Sequence, residues 1–118
     1  MSAEKNKKFD SLRQNRDFTI AFKKGQCIVT WGFVCYIKQN NKGLNRCGIV
    51  CGKKIGNAVK RNRAKRVIMA AFRRFELLVS EKTTKKYDFV FVGRGKTPFV
   101  KSHKIYALMK KQILDKLS

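Results

Sequence analysis

The sequence has one histidine, one proline and only seven acidic residues among its 118 positions. With His103 alone, no histidine-based metal cluster can form. The acids Glu4, Asp10, Asp17, Glu76, Glu81, Asp88 and Asp115 are scattered and offer no carboxylate pair for general acid–base work. Serine and cysteine nucleophiles have no evident base partner. No run approaches the ~20 apolar residues of a membrane span, and the apolar side of the long helix expected over Asn57 to Ser80 is needed for the core of so small a domain, so no membrane partner is expected. Met1 to Lys8 carries no apolar core of a secretory signal. The expected setting is the cytoplasm, where thiols stay reduced.

Positive charge is what the chain has in excess. Its 29 Lys and Arg against 7 Asp and Glu give +22. Such an excess repels itself in a compact state, so it answers to a polyanion outside the chain. The hydrophobic share of 43% is enough for a packed core, and the length suits one domain. From Phe18 to Phe75 there is no acid, while Lys and Arg recur throughout. A merely solvated face tolerates mixed signs, so this window marks a binding surface.

Residues 1–13 read as a basic flexible tail and 14–118 as a single RNA-binding domain. Asn15 is placed to cap a short helix, with Asp17 in its first turn and Gly25 past its end. Phe18 and Phe22 are i,i+4 neighbours on it. Cys27 to Gln39 is rich in β-branched and aromatic residues, with Gly32 marking a bend or break between two strands. Phe33, Cys35 and Ile37 share one strand face; Val34, Tyr36 and Lys38 share the other. Asn40 to Gly43 is a turn, Arg46 to Cys51 a strand, Asn57 to Ser80 a long helix, and Tyr87 to Val92 a central strand. Ser102 is placed to cap a last helix. The expected class is α+β, an α/β sandwich in the order α-β-β-β-α-β-α.

On the long helix, Ala64, Val67, Ile68, Ala71, Phe72, Phe75, Leu78 and Val79 form an apolar stripe. Asn62, Arg66 and Arg73 lie opposite, flanked by Arg63, Lys65 and Arg74. Cys27, Cys35, Cys47 and Cys51 read as buried structural thiols. A metal role for Cys47 and Cys51 is the weaker reading, because along a strand they lie ~13 Å apart. Gly52-Lys53-Lys54 fails as a phosphate loop, having no glycine five positions earlier and no following Ser or Thr.

No protein active site can be assembled, so the chain reads as a binding module. No helix-turn-helix, zinc finger or basic zipper is evident. Aromatics interleaved with basic residues suit RNA, where unpaired bases stack on rings and cations hold phosphates. Phe18, Phe22 and Tyr36 are the rings for such stacking, with a place in the core as the alternative.

The run Lys53-Lys54-Ile55-Gly56-Asn57-Ala58-Val59-Lys60-Arg61-Asn62-Arg63-Ala64-Lys65-Arg66 resembles the signature of the bacterial ribonuclease P protein component. Phe18, Phe22, Gly25, Phe33 and Tyr36 extend the likeness over about residues 12 to 117. The resemblance implies a fold like domain 2 of ribosomal protein S5, with a left-handed βαβ crossover. It also implies the protein subunit of an endoribonuclease that removes the 5′ leader of precursor tRNA. In that family a catalytic RNA carries the chemistry with Mg2+, and no organic cofactor is needed. The implied partners are ribonuclease P RNA and precursor tRNA. Carried over by position, the RNA-facing residues are Lys53, Lys54, Asn57, Arg61, Asn62, Arg63, Lys65 and Arg66. The leader-facing residues are Phe18, Phe22 and Tyr36; catalytic and metal-binding residues are none. Two departures stand out: Gly52, where the family often has Ser, and Met69-Ala70, where it often has Arg and an acidic or amide residue. The rival readings are a ribosomal or other structural RNA-binding protein with no role in cleavage, and a general nucleic-acid-compacting protein.

Overall fold

In the computed structural model, which describes residues 9–117, the chain forms β1 (Phe9–Ser11), α1 (Asn15–Lys24), β2 (Gln26–Val29), β3 (Phe33–Asn40), β4 (Asn45–Val50), α2 (Ala58–Lys82), β5 (Lys86–Gly93) and α3 (Ser102–Gln112). Single 3-10 turns cover Lys53–Ile55, Thr97–Phe99 and Leu114–Lys116. The five strands make one sheet in the order β1-β4-β5-β3-β2. β5 is central, as its near-continuous apolar run requires. It pairs parallel with β4 through the α2 crossover and antiparallel with β3.

Strand alternation divides the sheet into two faces. Phe33, Cys35, Ile37, Cys47, Phe89 and Phe91 point toward α2 and α3 and build the main core with Ile68, Phe72, Phe75, Ile105 and Met109. The opposite face carries a smaller cluster under α1, where Ala21 meets Leu12 and Val90, with Phe18, Tyr36 and Val50 packed against it. The long-helix stripe sits as expected at Ala64, Ile68, Ala71, Phe72, Phe75 and Val79, whereas Val67 and Leu78 are half-buried. One acid lies inside that stripe. Glu76 is buried there, with its Oε2 accepting from Asn45 Nδ2 at 2.9 Å and Ser80 Oγ at 2.7 Å and its Oε1 buried without a hydrogen-bond partner. Asn45 Oδ1 in turn accepts from the Tyr87 amide at 2.7 Å, so a polar link stitches α2 to β4 and β5.

Four expectations need correction. The tail expected over 1–13 ends earlier: β1 pairs parallel with β4, and Leu12 is buried. Residues 1–8 of that segment lie outside the described residues. From α1 on, the order is the expected α-β-β-β-α-β-α, and β1 precedes it. Helix α1 is preceded by Gln14 and α3 by Lys101, with no side-chain cap at either, so Asn15 and Ser102 are the first helical residues instead. Cys35 and Cys47 are buried, but Cys27 is exposed and Cys51 half-buried. Burial pushes the Cys35, Cys47 and Cys51 thiols up.

Candidate nucleic-acid interface

The basic run begins before α2. Ile55 is buried under its 3-10 turn, which leaves Lys53 and Lys54 exposed. Gly56 takes φ +135°, a left-handed-side geometry that turns the chain into the helix. Asn57 then caps α2, its Oδ1 accepting from the Lys60 amide at 3.0 Å. From there the wheel sorts the side chains. Ala64 and Ile68 are buried, while Asn62, Arg63, Lys65 and Arg66 are exposed. Arg61, which the wheel sets on the apolar side, is half-buried, with its Nε shielded from solvent. Further along, Arg73 is exposed, and the Arg74 guanidinium lies 4.3 Å from the Tyr106 ring centre. Arg74 is thereby engaged by α3, which leaves Arg73 to extend the stripe past Met69-Ala70.

The other face is a groove. Strand register sets Cys27, Tyr36, Val90 and Gly48 in one row across β2, β3, β5 and β4. The neighbouring row is Val29, Val34, Val92 and Val50. Helix α1 lies over the first row. A side chain at Gly48 would put its Cβ 2.6 Å from the Phe18 ring, so only glycine lets that ring settle on the sheet. Phe22 meets Tyr36 edge to face at 4.9 Å and is 41% exposed. The Cys27 thiol, paired across the strands with Tyr36, holds the tyrosine phenol above the ordinary range. The structure thus brings Phe18, Phe22 and Tyr36 together but divides them. Phe18 and Tyr36 are both half-buried against the cluster under α1, while the more exposed Phe22 extends the ring wall outward beside an apolar floor.

An ion-pair network fixes α1 at this position. Arg46 donates through Nε and Nη2 to both carboxylate oxygens of Asp88, at 2.8 and 2.7 Å. Its Nη1 reaches Asp17 on α1 at 3.4 Å. Asn40 Nδ2 adds a bond to Asp88 at 2.7 Å. The adjacent carboxylates raise the Arg46 pKa. Composition places Arg46 with the binding charges; the structure places it inside the fold.

The two candidate surfaces meet. Phe18 and Gly48 line the same open depression as Lys65, Arg66 and Met69. Its rim includes Ser11 and Leu12 of the segment expected to be tail. Nothing in the short stretch Phe9–Ser11 signals a strand, so this contribution is not readable from pattern. Among the described residues, no three His, Cys, Asp or Glu side chains are placed to hold a metal ion. No helix among them is long and apolar enough to cross a membrane.

Comparison with known proteins agrees with the resemblance. The family model for ribonuclease P matches residues 7–117. The ribonuclease P protein component of Clostridium botulinum is 35% identical over 88 residues, covering 75% of this chain and 77% of that protein. That of a Thermoanaerobacter species is 32% identical over 108 residues, covering 92% and 90%. The RNase P protein from Thermotoga maritima superposes with a TM-score of 0.74 at 29% identity, covering 92% of this chain and 97% of that one. The Staphylococcus aureus RNase P protein gives 0.69 at 29% identity, covering 90% and 94%.

Proposed function

The chain belongs to the bacterial ribonuclease P protein family, and we propose that it binds a catalytic RNA through the first half of α2 and the 5′ leader of precursor tRNA through the groove beside α1. The observation that carries this reading is the shared depression, where Phe18 of the groove and Lys65 and Arg66 of the stripe line one surface. A strand leaving the groove there passes directly to the basic helix. Lys53, Lys54, Asn57, Arg61, Asn62, Arg63, Lys65 and Arg66 hold the RNA, mostly through phosphates. Asn57 also caps the helix, so its oxygen is committed to the fold.

The cleavage chemistry belongs to the RNA in this reading. Divalent ions such as Mg2+ prefer several carboxylate or phosphate oxygens. The carboxylates of Asp17 and Asp88 face Arg46, and Glu76 bonds Asn45 and Ser80. Among the described residues no three such side chains are placed together to hold Mg2+, so in this reading the ion is held by RNA phosphates and the side chains of this chain carry no step. The protein binds, orients the leader and offsets phosphate repulsion.

Stacking on rings tolerates sequence, which suits many different leaders, and is worth ~1–3 kcal/mol per base. Replacing Tyr36 by Ala is therefore expected to weaken precursor tRNA binding to the RNA–protein complex by about ten-fold or more. Mature tRNA, lacking a leader, should bind almost unchanged. The two affinities, measured beside the melting temperature, check this. Equal losses for both tRNAs in a well-folded Tyr36→Ala variant contradict leader binding in the groove.

A further inference from the structure

A second aromatic surface lies away from the groove. Trp31 and Phe99 are 48% and 66% exposed, and both line a hollow with Val100, Lys101 and Lys104. An exposed apolar patch rimmed by polar residues marks an interaction site, and the two rings form the apolar part of one. These sit on built turns. Thr30 closes the β2–β3 turn: its Oγ1 accepts from the Gly32 and Phe33 amides at 3.2 and 3.0 Å and donates to the Phe33 carbonyl at 2.8 Å. A Cβ at Gly32 would lie 2.9 Å from Ile105, so the turn is pressed onto α3. Thr97, fully buried, donates from Oγ1 to the Gly32 carbonyl at 2.7 Å and accepts from the Arg94 amide at 2.8 Å. One hydrogen bond therefore locks the Trp31 turn to the Phe99 turn. Both rings face solvent, and the backbone beneath them is held by these bonds.

The charge around the rings has one sign. Lys101 and Lys104 line the hollow, and the Lys60 ammonium lies 5.6 Å from the Phe99 ring centre. No acid lines it. A second copy of a chain carrying +22 would meet repulsion there. A duplex would offer phosphates but no open base faces. Fixed rings bordered by lysines match unpaired bases and the phosphates joining them. Lys60 also belongs to the first turn of α2, so the hollow continues the basic stripe.

We propose that Trp31 and Phe99 form a stacking site for an unpaired segment of the catalytic RNA, with Lys60, Lys101 and Lys104 on its phosphates. This rests on the RNA partnership inferred above. Trp31 is the only tryptophan, so its fluorescence reports on the site directly. Short single-stranded RNA of mixed sequence should quench it in the full chain, and an RNA duplex of equal charge should not. Phe99→Ala should weaken binding to ribonuclease P RNA, without tRNA present, by about ten- to a hundred-fold. The salt dependence should be unchanged, because no charge is removed, and so should the melting temperature. Arg66→Ala is run alongside. If Arg66→Ala binds less tightly while folded Phe99→Ala binds like the parent, the stacking site is wrong and the RNA partnership stands. If neither variant loses affinity, both are wrong. A loss for Phe99→Ala seen only with leader-bearing tRNA also overturns the proposal, because the occupant would then be the leader.

Discussion

Arg46→Ala is expected to lower stability by ~3–5 kcal/mol, the cost of stranding a largely buried carboxylate without its partner. Asp88 would keep only the Asn40 amide, and Asp17 would lose its tie to the sheet. For a domain of this size the melting temperature should fall by roughly 12–20 °C. The functional consequence follows from where Asp17 sits. It lies in the first turn of α1, one residue before Phe18, so releasing it loosens the helix that covers the groove. Preference for leader-bearing tRNA should decline even at temperatures where the variant is folded. Thermal and urea unfolding followed by circular dichroism measure the stability. A loss below ~1 kcal/mol would mean that the pair behaves as a solvent-screened surface bridge.

The triple substitution of Arg63, Lys65 and Arg66 by Ala should do the opposite. These side chains are exposed, so the fold should survive with its melting temperature almost unchanged. Affinity for the catalytic RNA should fall on the order of 10³-fold, at about 1.5 kcal/mol for each charge-assisted hydrogen bond to a phosphate that is removed. The slope of log K against log salt should flatten by ~0.7–0.9 for each phosphate no longer neutralised. That rule comes from regular nucleic-acid helices, so the sum for three phosphates is roughly two to three. Binding measured across a salt series separates the cases. An unfolded variant with no change in slope would mean that the two faces of α2 have been exchanged.

Helix α2 is legible in the sequence because a long amphipathic helix repeats its signal. Six of its eight stripe residues are buried, and the exposed side carries Asn62, Arg63, Lys65 and Arg66. The alternation of β3 is equally clear, and by itself it assigns Tyr36 to the face opposite Phe33. What escapes pattern is set by partners distant in sequence. β1 is three residues long and exists because β4 offers it an edge. Glu76 looks like a surface acid until Asn45 is brought beside it. Arg46 looks like one more binding charge until Asp88 claims it. Trp31 and Phe99 carry no period at all, because each lies in a turn. Their juxtaposition follows from two distant turns that the Thr97–Gly32 hydrogen bond ties together.

Cleavage of precursor tRNA at low Mg2+ is the most direct measurement, made with the protein alone, with ribonuclease P RNA alone and with both together. Rigorously RNA-free protein should not cleave, the RNA alone should cleave weakly, and adding the protein should give a large gain. The protein supplies positive charge against phosphate repulsion and reduces the demand for divalent ions. Efficient cleavage by RNA-free protein, or no gain when it joins the RNA, would contradict a chemistry carried by RNA and assisted by this chain.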